Sequence, residues 1–194
     1  MKTAIYGAGS LGTVLGAYLS KAGVDVDLIT RNKEHVDAMN KGGAKIIGTV
    51  NMTVPVHALT PDQMTEKYEL IILLTKQLDN ENILRNLEKN MTDDCIVCTL
   101  QNGLPELSVS KVVGEDRTMG CTVAWGATLH GKGVSELTSE PDSMSFGLGR
   151  MNGQKDEKLM QVKALLEKMC PVEIEDNFMG VRWSKLLINS CLLY

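Results

Sequence analysis

The sequence predicts an α/β domain built on a mostly parallel sheet, and three observations support that prediction. Short apolar segments alternate along the chain with segments of helical composition. A glycine-rich turn joins the first strand to the first helix, and the strand–turn–helix–strand unit around it occupies about 30 residues. Alternation of this kind places parallel strands in one sheet with helices on both faces.

The first elements follow directly from the pattern. An apolar strand over 2–6 leads into the glycine-rich turn, and residues 13–22 have a helical composition that ends at Gly23. Residues 24–29 alternate apolar and acidic side chains before becoming wholly apolar, as a second strand entering a sheet does. Residues 42–61 are rich in Gly, Thr and Val without helical periodicity, which predicts a β-rich excursion before the sheet resumes.

The rest of the chain continues the alternation of strands and helices, with an amphipathic helix that ends before Pro171. In chain order the predicted elements are strand 70–74, helix 79–89, strand 95–100, helix 106–113, strand 118–123, strands 134–138 and 143–147 around a turn at 140–142, helix 156–169, strand 172–174 and an apolar segment 179–194.

Composition excludes several classes of partner. The 194 residues carry a formal net charge of −4, from 20 Lys and Arg against 24 Asp and Glu, which offers no broad attraction for nucleic acid. The chain lacks an apolar run of the ~18 residues that a membrane-spanning helix needs, and it begins without a secretory signal pattern. Five cysteines, an odd number, favour reduced thiols. We expect a cytoplasmic protein that binds neither nucleic acid nor a membrane.

A metal site is not expected either. The three histidines, His35, His57 and His130, lie in different segments without a short ligand spacing. Cys95 and Cys98 fall in a predicted buried strand, where residues three apart point to opposite faces of the sheet. These two thiols are therefore interpreted as small buried hydrophobic side chains.

The glycine-rich turn has the pattern Gly-x-Gly-x-x-Gly between a strand and a helix, which is the context that makes this motif specific. Gly7 permits the tight turn, Gly9 lets the backbone approach a pyrophosphate, and Gly12 lets the helix pack closely on the strand. The helix N-terminus adds unpaired N–H donors. A purely structural glycine turn is the alternative. The predicted dinucleotide-binding residues are Gly7, Ala8, Gly9, Ser10, Leu11 and Gly12.

The residues after the second strand bear on the choice of dinucleotide. Proteins that bind NAD carry an acidic side chain there for the ribose 2′-hydroxyl, whereas this chain has Thr30-Arg31-Asn32. An arginine can hold a 2′-phosphate with two parallel charge-assisted hydrogen bonds. Arg31 therefore favours NADP(H) over NAD(H), although an arginine in a loop can also be a solvated charge.

Polar residues also follow later strands. Lys76 and Asn102 each come after a predicted buried strand, at the edge where open α/β sheets bind ligands, although strand-end polar residues also cap helices. Lys185 and Asn189 are four residues apart and so share one face of a predicted helix. Leucine and isoleucine at 186–188 cover the adjacent directions, which predicts a polar stripe on a largely buried helix, and a buried lysine needs a partner.

These motifs together resemble the ketopantoate reductase (2-dehydropantoate 2-reductase) family, in order and over essentially the whole chain. The resemblance rests on the glycine motif, on Leu74-Thr75-Lys76, on Leu100-Gln101-Asn102-Gly103, and on Arg182-Trp183-Ser184-Lys185-Leu186 with Asn189. It implies a Rossmann-like NADP-binding domain over 1–170. Residues 171–194 would then begin an all-helical second domain that binds substrate and dimerises.

The resemblance implies NADPH-dependent reduction of a 2-keto acid to a 2-hydroxy acid, in the family's case ketopantoate to pantoate on the route to coenzyme A. Lys185 matches the family's general acid, and Asn102 and Asn189 match asparagines near the nicotinamide and the substrate. Arg31 and Lys76 match residues on the 2′-phosphate side of the cofactor. The chemistry is reasonable because hydride addition creates an alkoxide, which a nearby cation stabilises and protonates. Burial would lower the pKa of such a lysine toward neutrality.

The chain also departs from the family pattern. Asp79 stands where the family usually has a glutamine, and Leu193 stands where a second asparagine usually follows. The family's second domain, with a serine and a glutamate for substrate, would extend roughly another hundred residues. Three hypotheses follow: an active reductase acting on ketopantoate or another keto acid, a truncated module that binds NADPH without turnover, and a non-catalytic NADP(H) sensor. An apolar helix ending at Tyr194 predicts a fragment or a homodimer through that helix.

Overall fold

The computed structural model describes residues 1–191, which form twelve strands and six α-helices. Their bounds are β1 Thr3–Tyr6, α1 Ser10–Lys21, β2 Val26–Ile29, α2 Lys33–Gly42, β3 Ala44–Gly48, β4 Met52–Val54, β5 His57–Leu59, β6 Tyr68–Leu73, α3 Asn80–Leu87, β7 Met91–Thr99, α4 Glu106–Val113, β8 Thr118–Val123, β9 Ala127–Gly131, β10 Val134–Leu137, β11 Phe146–Gly149, α5 Glu157–Leu166, β12 Val172–Ile174 and α6 Phe178–Cys191.

The main sheet has eight strands in the order β12-β11-β8-β7-β6-β1-β2-β5. The six strands from β8 to β5 are parallel to their neighbours, whereas β11 runs antiparallel to β8 and carries β12 parallel to itself. The predicted mostly parallel, Rossmann-like sheet is therefore confirmed. Its central strands are mostly buried on both faces, which explains why they appear in the sequence as nearly continuous apolar runs.

Helices cover both faces of the main sheet, as predicted. On one face, side chains of α1, α2 and α5 such as Val14, Val36 and Leu159 join the larger apolar cluster. On the other, α3 and α4 contribute Leu84 and Val109 to a second cluster. Cys95 belongs to one cluster and Cys98 to the other, so their side chains do point to opposite faces of β7.

A second sheet, with the order β4-β3-β10-β9, packs against α1. It accounts for part of the β-rich excursion predicted over 42–61, and β5 in the same stretch extends the main sheet. The predicted strands 134–138 and 143–147 correspond to β10 and, shifted toward the C-terminus, to β11. These two strands lie in different sheets, so the segment around Pro141 is a crossing between sheets.

The sequence pattern missed two elements, α2 and β9. Helix α2 begins after Asn32, whose side-chain oxygen accepts a hydrogen bond from the His35 backbone N–H, and it buries only His35, Val36 and Met39. So few buried positions give a weak apolar period. Strand β9 lies at the edge of the small sheet and is almost wholly exposed, so it lacks the alternation that marks a half-buried strand.

The terminal helix α6 differs from its prediction. Of its described side chains, Phe178 and Arg182 are buried, whereas Trp183, Leu187 and Ile188 are more than half exposed. The expectation of a largely buried helix is therefore wrong within residues 1–191, because the apolar positions face outward and a cation faces the sheet. The end of the predicted segment, including Leu193 and Tyr194, lies outside the described residues.

The predicted domain boundary at 170 stays a prediction, and β12, just beyond it, still pairs with β11 in the main sheet.

Across residues 1–191, no helix combines the length and the apolarity that crossing a lipid bilayer requires.

Candidate functional site

The predicted site residues lie at one edge of the main sheet, where parallel strands end together. Arg31 follows β2, the glycine loop follows β1, and Lys76 follows β6. Asn102 comes after β7, and Lys185 reaches the end of β8. Five neighbouring strands at about 4.8 Å spacing cover roughly 19 Å. The sheet thus aligns these groups along an edge that suits an extended ligand.

The glycine loop is fixed by the backbone that surrounds it. Gly7 has a φ of 113°, and a Cβ there would lie 2.6 Å from the Leu74 carbonyl carbon. A Cβ on Gly12 would lie 2.5 Å from the carbonyl oxygen of Gly7. These two positions therefore require glycine because β1, β6 and α1 meet without room for a side chain.

Gly9 is different, because a Cβ at this position would meet nothing within 4 Å. Gly9 is the N-cap of α1 and offers no side chain to the first-turn N–H groups. Those groups have no partner inside the helix and carry the positive end of its dipole. The open space at Gly9, beside the N–H groups of Ser10, Leu11 and Gly12, fits the bound anion that the motif predicts.

A cleft of about 310 Å³ adjoins this loop and collects residues from three segments. Its lining includes Leu11 from α1, Lys76 and the exposed Leu78 after β6, and Asn102 after β7. The structure therefore brings Leu11, Lys76 and Asn102 together, as the sequence predicts for one site.

A larger groove of about 410 Å³ lies elsewhere, between Tyr6, the turn at Pro61 and the end of α3 at Arg85 and Lys89. None of the predicted site residues lines it. The predicted site residues therefore converge on the strand ends beside the smaller cleft and not on the larger groove.

Arg31 lies outside the 310 Å³ cleft, at the start of the loop that leads into α2. Its side chain is exposed, and its positive charge acts on the Tyr6 hydroxyl at the end of β1. Burial raises the pKa of Tyr6, and the Arg31 charge opposes that rise. Arg31 is therefore near the end of β1 and is free to contact a ligand that extends past the glycine loop.

Gln101 organises the loops that form the cleft. Its side-chain amide donates to the Thr75 carbonyl at 2.7 Å and to Asn80 Oδ1 at 2.8 Å, and its Oε1 accepts from Asn80 and from Thr99. Asn80 also donates to Ser108 on α4. This buried amide network joins the loop that carries Lys76 to the loop that carries Asn102.

Lys185 lies at the β8 end of the same edge. Its Nζ donates to the Val123 carbonyl at 2.7 Å, and the side chain is partly buried. Burial is the main cause that lowers the pKa of Lys185, and the nearby Arg182 charge lowers it further, whereas Cys121 opposes the shift. An ammonium has three donors, so one bond to Val123 leaves two for a ligand.

Arg182 is the most heavily bonded side chain near Lys185. Its guanidinium donates twice to Glu106 Oε1, at 2.9 and 2.6 Å, and also to the carbonyls of Thr99, Gln101 and Cys121. Arg182 is 2% exposed and Glu106 is fully buried. The ion pair ties α6 to α4, and the carbonyl bonds tie it to β7, to the loop after β7 and to β8.

The remaining residues singled out from the sequence lie before α3 and on α6. Asp79 is exposed before α3 and accepts a hydrogen bond from Asn82, and Asn189 lies one helical turn beyond Lys185. Leu193 lies outside the described residues. Sequence reasoning quoted Gln101 and Arg182 within motifs but gave them no role, and it missed Glu106, because a partner 76 residues away leaves no signal in a single sequence.

The fold and the edge define an α/β protein of the dinucleotide-binding class, and comparison with known proteins places the chain more narrowly. It matches the ketopantoate reductase PanE/ApbA family over residues 3–150. The chain belongs to this family of oxidoreductases.

Individual relatives agree with the family assignment. A 2-dehydropantoate 2-reductase from Pyrococcus horikoshii is 32% identical over 194 residues, which cover 99% of this chain and 62% of that protein. D-mandelate dehydrogenase in complex with NADH is 26% identical, with a TM-score of 0.83 over 97% of this chain and 60% of that one. A 2-dehydropantoate 2-reductase from Geobacter metallireducens, at 23% identity and TM-score 0.87, shows the same fold. The chain therefore spans about three fifths of the length of these relatives.

Proposed function

We propose that the chain takes part in NADPH-dependent reduction of a 2-keto acid to a 2-hydroxy acid, with 2-dehydropantoate as substrate and pantoate as product. When bound, NADPH supplies the hydride that the carbonyl carbon receives. Lys185 donates the proton to the carbonyl oxygen and stabilises the alkoxide that forms. Asn102 and Asn189 hold the substrate and the nicotinamide end of the cofactor.

The observation that carries this proposal is the position of Lys185. Its ammonium is partly buried, bonded to the Val123 carbonyl, and its pKa is lowered chiefly by burial. It lies on the same sheet edge as the glycine loop, and proton transfer is most efficient when the acid has a pKa close to the working pH. A lysine that served only as a solvated charge would not need to be placed there.

The residues present also fit the cofactor. The open space at Gly9, next to the uncapped N-terminus of α1, would hold the pyrophosphate through the backbone N–H groups of Ser10, Leu11 and Gly12. The N–H groups of Gly7 and Ala8 donate to the Ile29 carbonyl and that of Gly9 donates to the Gly7 carbonyl, so these three residues shape the loop instead of donating to the ligand. Arg31 and Lys76, both exposed on this edge, would bind the 2′-phosphate. These groups support NADP(H) rather than NAD(H), whereas the related D-mandelate dehydrogenase structure contains NADH.

Replacing Lys185 tests the catalytic assignment. We expect Lys185→Ala to reduce the rate of keto-acid-dependent NADPH oxidation by roughly 10²–10⁴-fold, as removal of a general acid does. Fluorescence titration of NADPH should change little. Lys168→Ala, an exposed lysine after α5, is the matched control and should keep both properties. Turnover that survives in Lys185→Ala contradicts the assignment, and NADPH binding without turnover in the unaltered chain supports the non-catalytic module.

The dinucleotide preference has its own test. The unaltered chain should bind NADPH more tightly than NADH, and Arg31→Ala should remove most of that difference because the 2′-phosphate loses a charge-assisted pair. Arg85→Ala, an exposed arginine on α3, serves as the control. Equal affinity of the unaltered chain for both cofactors would refute the role given to Arg31.

Three further expectations belong to the same proposal, on the second domain, on self-association and on location in the cell. Residues 171–194 begin a helical second domain, the exposed face of α6 at Trp183, Leu187 and Ile188 pairs two copies of the chain, and the protein acts in the cytoplasm. Five free thiols fit a reducing compartment. Analytical ultracentrifugation of the chain and of Leu187→Glu would test the pairing, which should weaken in the variant.

A further inference from the structure

The face that α6 turns toward the sheet is cationic and polar. Arg182, Lys185 and Asn189 recur at spacings of three and four residues, so they share one face of the helix. Arg182 is buried, while Lys185 and Asn189 are partly exposed, so the face runs from the interior to the open edge of the sheet. Arg182 and Lys185 therefore lie one helical turn apart on the same face, with Arg182 on the interior side.

Both cations on this face bind the same strand. Arg182 donates to the Cys121 carbonyl at 3.2 Å, and Lys185 donates to the Val123 carbonyl at 2.7 Å, two residues further along β8. Arg182 also binds the carbonyls of Thr99 and Gln101, just before Asn102. The Arg182 guanidinium thereby connects the segments that carry Lys185 and Asn102.

Glu106 completes the arrangement from α4. Its Oε1 accepts hydrogen bonds from both the Nε and a terminal nitrogen of Arg182. Its Oε2 has no hydrogen-bond partner within the described part of the chain. Burial raises the pKa of Glu106 and the Arg182 charge opposes that rise. A carboxylate in this position offsets the guanidinium charge that Lys185 experiences, because at short range in a buried site each charge is weakly screened.

We propose that Arg182 and Glu106 are positioning residues for Lys185: the Arg182 guanidinium, held by Glu106, ties α6 to α4, β7 and β8, and the pair sets the charge environment of the Lys185 ammonium. This inference rests on the proposed role of Lys185 as the acid and adds how that acid is held. The charged and titratable groups that act directly on Lys185 are Arg182 from its own helix and Cys121 from β8, and Glu106, from α4, is paired with Arg182.

The test is a pH titration of Lys185 in the full chain, followed by NMR of ¹³C-labelled lysine. Arg182→Met removes a positive charge, so the pKa of Lys185 should rise. Glu106→Gln keeps the shape but removes the compensating negative charge, so the pKa of Lys185 should fall below that of the unaltered chain. Opposite shifts from the two halves of one pair are the signature of electrostatic positioning.

A purely structural brace would behave differently. Losing either partner would loosen α6 and expose Lys185 to water, so the pKa would rise in both variants, and that result would overturn the proposal, as would no shift in either. If Arg182→Met fails to fold, Glu106→Gln alone decides through the sign of its shift. Glu157→Gln and Arg85→Met, which change exposed residues on α5 and α3, should leave the titration unchanged.

The readout separates this inference from the proposed function. The titration needs neither cofactor nor substrate, so opposite pKa shifts would stand even if the chain failed to reduce a keto acid. If the reduction does occur, Glu106→Gln should also move the alkaline limb of the kcat profile, where Lys185 loses its proton, in the direction of the Lys185 pKa shift. Glu106→Asp, which retains the charge, should restore that limb toward its original pH.

Discussion

The two ends of the candidate site are held in different ways. At β1 the glycine loop is shaped by backbone packing, since Cβ atoms on Gly7 and Gly12 would collide with main-chain atoms. At β8 helix α6 is held by one buried guanidinium that binds Glu106 and three carbonyls. Gly7 and Gly12 tolerate no added atom, whereas the helix depends on a charge pair that a single substitution unbalances. The end at the glycine loop is thus sterically fixed, and the end at Lys185 is electrostatically fixed.

The largest expected effect comes from breaking the charge pair. Arg182→Met should lower the free energy of unfolding by about 3–5 kcal/mol, because it leaves Glu106 buried without its partner. Urea unfolding followed by circular dichroism measures the loss. The double variant Arg182→Met with Glu106→Leu should recover much of it, since no buried charge remains. A single-variant loss below about 1 kcal/mol would contradict the electrostatic account of α6.

A methyl group in the loop should have the next largest effect. Gly7→Ala should lower the free energy of unfolding by roughly 2–4 kcal/mol, from a left-handed φ combined with a backbone collision. Gly23→Ala provides the matched control, because its φ is also positive but a Cβ there meets nothing within 4 Å. Gly23→Ala should lower the free energy of unfolding by only about 1–2 kcal/mol, because the positive φ is its one unfavourable feature. Equal losses in the two variants would show that packing against Leu74 does not matter.

The amide network between the two ends should have an intermediate effect. Gln101→Leu should cost about 2 kcal/mol, because it leaves the buried Asn80 amide and the partly buried Thr75 carbonyl without their partner. The exposed Asn82, bonded to Asp79, is the control, and Asn82→Ala should change stability by less than about 0.5 kcal/mol. Thermal unfolding compares the two. If Gln101→Leu is as mild as the control, water satisfies these groups and the network does not hold the cleft.

The smallest effect concerns the attachment of the small sheet behind the loop. The Gly133 N–H donates to His35 Nδ1, so the ring proton lies on Nε2, which donates to Thr13 on α1. Burial lowers the pKa of His35. On acidification, the His35 ring of the unfolded chain therefore takes up its second proton at a higher pH than the ring of the folded chain does. The stability contribution is full above the ordinary histidine pKa of about 6.5 and declines as the pH falls below it.

Chemical unfolding across this pH range measures the effect as the difference between the unaltered chain and His35→Gln. That difference should shrink as the pH falls below about 6.5 and should be constant above it. The Asp27 carboxyl does not confuse the result. Burial raises its pKa, but hydrogen bonds from His57 and Tyr68 bring it below its ordinary value, so it acts only below about pH 4. A difference that grows in acid would contradict the assignment of His35.

Much of the main sheet was predictable because its signals are local. The strands over Thr118–Val123 and Val172–Ile174 and the helix over Glu106–Val113 match their predicted bounds, since each is an uninterrupted apolar or periodic run. Helix α2 and strand β9 were missed because each buries too little to leave a period in the sequence. The turn near Pro141 was found, but that it separates two sheets depends on contacts distant in the chain.

The sequence by itself determined the glycine loop, the parallel sheet and the family, because a tight turn, a strand and a helix start are written in neighbouring residues. It also indicated Lys76, Asn102 and Lys185 as candidates. Only the tertiary structure decided that Arg182 faces inward while Trp183 and Leu187 face outward, and that Glu106 lies opposite. The physical reason is that a buried charge is tolerable only beside its partner, and the fold alone brings residues 106 and 182 together.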